Sequence, residues 1–228
     1  FLKGASHVQM EPVWGGQADS AITLRSICAL ALVQTTLTRR DLLCKLVDLA
    51  ADAEKQVRVD AVRAIAQLAE PEGVLLVRMK ALAGDVETEV VGQCLTELLE
   101  ISASEFVPFV KRFFTHKDED LRLEALHALG GCRDPLAEDA LVEAVGAHEV
   151  ALGSAAVAVL GASRRREEVR DRVEAAVKQR MSPLLRQKFV DACVDQARVL
   201  GVTLPDPDLK WNEARGQHDF GAIDWSEF

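Results

Sequence analysis

Apolar residues recur along this chain with a helical period, and the pattern itself repeats. In Val57-Arg58-Val59-Asp60-Ala61-Val62-Arg63-Ala64-Ile65-Ala66-Gln67-Leu68, the positions Val57, Ala61, Ile65 and Leu68 form one stripe of an α-helix. The same stripe stands 33 residues earlier in Leu24-Arg25-Ser26-Ile27-Cys28 and 33 residues later in Val90-Val91-Gly92-Gln93-Cys94. It returns after 31, 31 and 33 residues at Leu121-Arg122, Leu152-Gly153 and Leu185-Arg186. A second, weaker stripe lies between the copies. It comprises Leu42, Leu43, Leu46, Val47 and Ala50; then Leu75, Leu76, Met79 and Leu82; then Phe106, Phe109, Val110, Phe113 and Phe114. Leu136, Ala140, Leu141 and Ala144, and finally Val169, Val173 and Val177, complete the series. Each unit reads as helix A, turn, helix B. One such pair cannot bury its apolar face alone, so a period of this length predicts stacked pairs, an α-solenoid.

Two further features recur with the stripe. A small residue stands mid-helix (Cys28, Ala61, Cys94, Ala125, Ala156, Ala192), and an Arg stands near the start of helix B (Arg25, Arg58, Arg122, Arg186). On these residues the chain resembles the HEAT-like repeat family, in particular its short bacterial form, also found in phycobilin lyases. The resemblance covers residues 19–198 and departs at Val91 and Gly153, which lack the Arg. Tetratricopeptide repeats are excluded by the absence of any Tyr, and ankyrin by the absence of Thr-Pro-Leu-His. The expected fold is an all-α, right-handed α-solenoid of about six HEAT-like helix pairs with a C-terminal acidic-aromatic tail. Its expected parts are an N-terminal capping segment (1–18), the solenoid (19–200) and the tail (201–228). The small residue should let helix B approach its neighbours, and the Arg should bond an acid or a carbonyl of an adjacent repeat.

Turn chemistry places the boundaries. Thr38 with Asp41 reads as a capping box, and Asp134-Pro135 as an N-cap followed by a Pro at the first helical position. Pro71 fits a first turn, Ser104-Glu105 opens a helix with Pro108 early in it, and Ser182-Pro183 starts the last helix B. Residues 1–18 read as loop, with Trp14 covering the open apolar end of the first repeat; no strands are expected. Leu204-Pro205-Asp206-Pro207-Asp208 cannot be helix interior. Beyond it, Trp211, Phe220, Trp225 and Phe228 alternate with acids that cannot build a core of their own. These aromatics either pack on the solenoid or dock into a partner. Packed in cis, Asp219 and Asp224 would meet Arg63 or Arg122.

Composition narrows the functional classes. A net charge of −9 weighs against a general nucleic-acid binder, whose affinity comes from Lys and Arg on phosphates. No apolar run is long enough for a membrane span. The five Cys (28, 44, 94, 132, 193) show no C-x-x-C spacing and fall mostly on core stripes, which points to reduced thiols and a cytoplasmic site. The chain begins at Phe1 rather than Met, as a fragment or processed product would.

No catalytic or metal constellation emerges. The five His include one His-Glu pair, His148-Glu149, where a HEAT-like di-iron hydroxylase needs several. No G-x-S-x-G is present, and no cofactor is expected. Arg164-Arg165-Arg166, followed by two Glu, reads as a solvated turn. In the family that the chain resembles, helix B lines the concave face. The positions equivalent to Arg63 are Leu30, Thr96, His127, Ala158 and Asp191. The resemblance thus gives a groove of mixed polarity, with Arg63, Thr96 and His127 as partner-binding residues, suited to an extended peptide or a helix. The row is too neutral to track DNA as a HEAT-like glycosylase would. The reading is a non-enzymatic scaffold or adaptor that binds a protein or peptide through this face, the aromatic tail, or both. The alternative is an enzyme-associated subunit such as a phycobilin lyase-like protein, and nucleic-acid binding ranks third.

Overall fold

The computed structural model describes residues 1–68, 71–146, 149–162, 166–199, 211–212 and 217–218; for 166–168, 194–199 and the last two pairs the description is of backbone. Its described α-helices are α1 (Ile22–Leu32), α2 (Arg39–Leu49), α3 (Lys55–Gln67), α4 (Pro71–Ala83), α5 (Thr88–Ile101) and α6 (Ala103–Lys111), then α7 (Glu119–Gly131), α8 (Pro135–Val145), α9 (Val150–Ala162), α10 (Arg166–Arg180) and α11 (Pro183–Val199). The odd-numbered helices are the B helices. Each packs on the next along the chain, α1 on α3 through to α9 on α11. The even-numbered A helices lie against the B helix that follows them, and α6, α8 and α10 also pack in series. The architecture is a nearly all-α solenoid of stacked helix pairs.

The small mid-helix residues explain the close B-on-B stacking. Ala61, Cys94, Ala125 and Ala156 are wholly buried, and a Cβ on Gly161 of α9 would collide with Ala192 of α11. Each larger apolar side chain buried along this stack contributes about 1.5–3 kcal/mol.

The repeated Arg forms a ladder. Arg25 makes a two-pronged contact with Asp52, Nε to Oδ2 at 2.9 Å and Nη2 to Oδ1 at 3.1 Å, and donates from Nη1 to Asp19 and to the His7 carbonyl. Arg58 does the same to Asp85 at 3.0 and 2.8 Å and donates to the Asp52 and Ala53 carbonyls. Arg122 reaches Glu149 and the His116 carbonyl. Each acid lies 27 residues beyond its Arg. Asp19, Asp52 and Asp85 have a second task. Each accepts a hydrogen bond from the N–H two residues on, at Ala21, Glu54 and Glu87, which closes the turn into helix B. One fork therefore fixes a turn and ties it to the previous repeat. Where Val91 replaces the Arg, the next turn is closed by its own side chains: His116 Nδ1 accepts from the Asp118 N–H, and Asp118 from the Asp120 N–H.

Hydrogen bonding sets the Asp19 and Asp85 carboxyls low. Asp19 is pushed down to about 2, chiefly by the N–H groups of Gln9 and Ala21 and then by Arg25. Burial pushes Asp85 up, but Lys80, the Glu87 N–H and Arg58 outweigh it and hold the group below its ordinary value.

The structure corrects four expectations. Residues 1–18 are not all loop: β1 (Met10–Val13) and β2 (Gly16–Asp19) form an antiparallel hairpin, Val13 facing Gly16, with Gly15 at φ +91° in the turn. Trp14 sits at the tip of this hairpin, fully exposed, and covers nothing; Ala5 is the buried residue of the adjoining 3-10 turn, which packs on α1. The stripe expected to bury α4 faces outward: Leu75, Met79 and Leu82 are 64%, 58% and 57% exposed, while Gly73, Val77 and Ala81 are buried. Pro108 lies inside α6, not at its start, and the helix gives way to a 3-10 turn at Arg112–Thr115. Thr38 and Asp134 cap their helices as the sequence predicts. In the tail, β3 (Trp211–Asn212) pairs antiparallel with β4 (Gln217–His218).

The thiols follow the core. Burial pushes Cys94 up to about 12, whereas Cys44 is exposed. Iodoacetamide at pH 8 is expected to label Cys44 in the native protein and Cys94 only on unfolding, read by mass spectrometry of peptides. Early labelling of Cys94 would contradict its place in the α5 core.

Candidate functional site

The three residues expected to bind a partner stand at the same repeat position on successive B helices, α3, α5 and α7. Arg63 is half-exposed but engaged. It donates to Asp60 Oδ1 and to Gln93 Oε1 of α5, each at 3.0 Å, and Gln93 in turn donates to Glu97 at 2.6 Å. Its charge is spent on tying α3 to α5. Thr96 is half-buried and donates to its own helix at the Gly92 carbonyl, 3.1 Å away. His127 is exposed and borders a cleft between α7 and α9.

That cleft holds about 420 Å³ and is lined by Leu123, His127, Gly130, Ala155, Ala158, Val159 and Ala162. Small side chains on α9 leave the space that larger ones fill elsewhere on the stack. Beside it, on the same turn of α7 as His127, lies Glu124, whose carboxylate crosses over Gly92 of α5. Glu97 and Glu124 are both half-buried. Burial pushes both up; Gln93 and Arg63 temper this for Glu97, and His127 and Lys55 for Glu124, while neighbouring carboxylates (Glu100; Glu89 and Asp120) add to it.

The sign of that effect is testable. A carboxyl raised on folding opposes folding when ionised, and this penalty is relieved as pH falls through its folded pKa. Glu124→Gln is expected to melt no lower than the parent at pH 7, with the difference shrinking toward pH 4. A lower melting temperature at pH 7 would show that the Glu124 charge is stabilising.

Sequence reasoning reached His127 and Ala158 but missed Glu97, Glu124 and Leu123. Part of the signal was present: Glu124 precedes His127 by one helical turn and shares its face, and Glu97 stands one turn after Gln93, the acceptor of Arg63. The tail expectations fall elsewhere. Trp211 enters the β3–β4 pairing through its backbone, and Phe220, Trp225 and Phe228 lie outside the described residues. Arg122, offered as a partner for the tail acids, is engaged by Glu149 and the His116 carbonyl. His148, Arg164 and Arg165 also lie outside the described residues. Among the described residues no three His, Cys, Asp or Glu side chains come together as a metal site, and no described helix is long and apolar enough to cross a membrane.

No protein-family model matches the chain. Over 44 residues, 19% of this chain, it is 54% identical to one of the subunits of 1,2-phenylacetyl-CoA epoxidase from Escherichia coli, and the match spans 14% of that protein's length. Among solved structures, the complex of CpcE and CpcF of phycocyanin lyase from Nostoc sp. aligns over 84% of this chain and 80% of that one, with 16% identity and a TM-score of 0.37. A designed armadillo repeat protein in complex with a peptide aligns over 85% and 96%, with 14% identity and a TM-score of 0.36.

Proposed function

We propose that the chain is a protein-binding scaffold whose B-helix face is its recognition surface. The observation that carries this reading is the open apolar cleft between α7 and α9, on the face that also presents His127 and the half-exposed Arg63. A solenoid spreads such a face over several repeats and so suits an extended peptide or a helix. In this reading residues 1–18 cover one end, 19–200 form the solenoid, and 201–228 are a separate tail with Trp211, Phe220, Trp225 and Phe228 as a second docking element. Thr96 contributes shape, since its hydroxyl is occupied within α5.

Affinity capture from native extract tests the reading with three proteins: the whole chain, Ala158→Trp to fill the cleft, and a chain cut after Gly201. Loss of a captured protein with Ala158→Trp at unchanged melting temperature supports the face. Loss only on cutting, again at unchanged melting temperature, moves recognition to the tail. Capture retained by both variants overturns both.

A second reading, an enzyme-associated subunit, is favoured by one observation, the 44-residue segment shared with a protein of the epoxidase. In this reading the shared segment is a local packing or docking element. Transplanting this chain's matching segment into the epoxidase protein should preserve its assembly. Loss of assembly on transplantation counts against this reading.

A further inference from the structure

We propose that the partner of the B-helix face is a basic amphipathic segment, one of whose apolar side chains enters the α7/α9 cleft while a Lys or Arg meets Glu97 and Glu124. This rests on the reading of that face as the recognition surface.

The cleft sets the apolar half. Its walls are Leu123, Ala155, Ala158, Val159 and Ala162, with His127 at the edge and no charged side chain among its lining residues. The basic half follows from the neighbouring carboxylates. Glu97 has one hydrogen bond, from Gln93, and no ion pair among the described residues. Glu124 lies across Gly92 and carries neither among them. The protein's own cations on this face are already committed, Arg63 to Asp60 and Gln93, and Lys55 to Glu89 at 2.8 Å. Two half-buried carboxylates, with cations near them (Arg63 for Glu97, His127 and Lys55 for Glu124) but none in an ion pair with either among the described residues, favour a cation over an acidic segment and can form charge-assisted hydrogen bonds with it. Adjacent helices pack about 8–10 Å apart. A cation at Glu97 or Glu124 and an apolar anchor in the cleft are therefore about one to three turns apart on a partner helix.

The test uses two fluorescent helical peptides, one alternating Leu and Lys stripes and one with every Lys replaced by Glu, followed by fluorescence anisotropy at physiological salt. The whole chain is expected to bind the Leu-Lys peptide and not its Leu-Glu counterpart. Glu97→Gln with Glu124→Gln should weaken binding on the order of tenfold. Glu72→Gln with Glu105→Gln, which removes the same charge from exposed positions on α4 and α6, should leave it within about twofold. Ala158→Trp should block the Leu-Lys peptide. Melting temperatures confirm that each variant is folded. Equal weakening by the two double variants means attraction by net charge alone and overturns the inference, as does a chain that binds neither peptide. Binding of the Leu-Glu peptide, blocked by Ala158→Trp, overturns the basic chemistry while supporting the face. If no peptide binds but Ala158→Trp still abolishes partner capture, this inference falls and the scaffold reading stands.

Discussion

Arg58→Met is expected to melt roughly 10 °C below the parent chain. Arg58 is buried, and its guanidinium forks onto Asp85 while donating to the Asp52 and Ala53 carbonyls. Removing one partner of a buried pair costs about 3–5 kcal/mol, because the other is left charged and desolvated. Lys80 still reaches Asp85 at 2.7 Å, which places the loss near the lower end. For a chain of this size each kcal/mol is worth about 2–4 °C. Lys55→Ala removes a pair that is half-exposed at both ends and is expected to shift the melting temperature by no more than about 2 °C. The pH dependence has a definite sign. Asp85 is held below its ordinary value, so its contribution is complete above the unfolded pKa, near 4, and is lost as pH falls through the folded one. The gap between parent and Arg58→Met therefore narrows on acidification below about pH 4. Thermal unfolding monitored by circular dichroism measures both effects. A variant within 1 °C of the parent at pH 7 would show that the ladder marks the repeat without stabilising it.

That ladder also shows what the sequence could reveal. The Arg was legible because it recurs with the apolar stripe, and a buried cation at a periodic position needs a partner at the same period. Its acids were equally periodic, one repeat apart at Asp19, Asp52 and Asp85, but they sit in turns, where Asp is common for reasons of capping alone. Helix α4 was misjudged for a different reason. Val74, Leu75, Leu76, Val77, Met79, Ala81 and Leu82 make it apolar on every side, so periodicity cannot choose a face. Gly73 chooses it: a Cβ there would strike the Ile65 carbonyl, so the line through Gly73, Val77 and Ala81 is the one that can approach α3 closely. The β1–β2 hairpin has nearly all its side chains exposed, which leaves no alternation of apolar and polar positions to read. On the candidate face, repeat position placed His127, but the half-burial of Glu124 arises where its carboxylate passes over Gly92 as α5 stacks on α7, a property of packing between repeats.

Phe106→Ala is expected to lower stability by about 3–5 kcal/mol and to divide one unfolding transition into two. Phe106 is buried on α6, edge-on to Phe109 at 6.4 Å between ring centres, and Phe109 packs in turn on Phe113 at 5.7 Å. Helix α6 lies against α5, α7 and α8, at the middle of the stack. A solenoid holds together through contacts between neighbouring units, so a cavity placed there weakens the coupling between the repeats on its two sides. The units through α5 keep their own contacts, including both forks of the Arg25 and Arg58 ladder. From α8 onward, the Arg172–Asp139 and Lys111–Glu143 pairs between A helices are largely solvent-exposed and add little to the apolar contacts. Calorimetry should therefore resolve a lower transition, and hydrogen exchange should assign it to α8–α11 while α3 and α5 retain protection. A single sharp transition, merely displaced, with exchange accelerated evenly along the chain, would show that the repeats unfold as one cooperative body and that the nearest-neighbour picture fails for this protein.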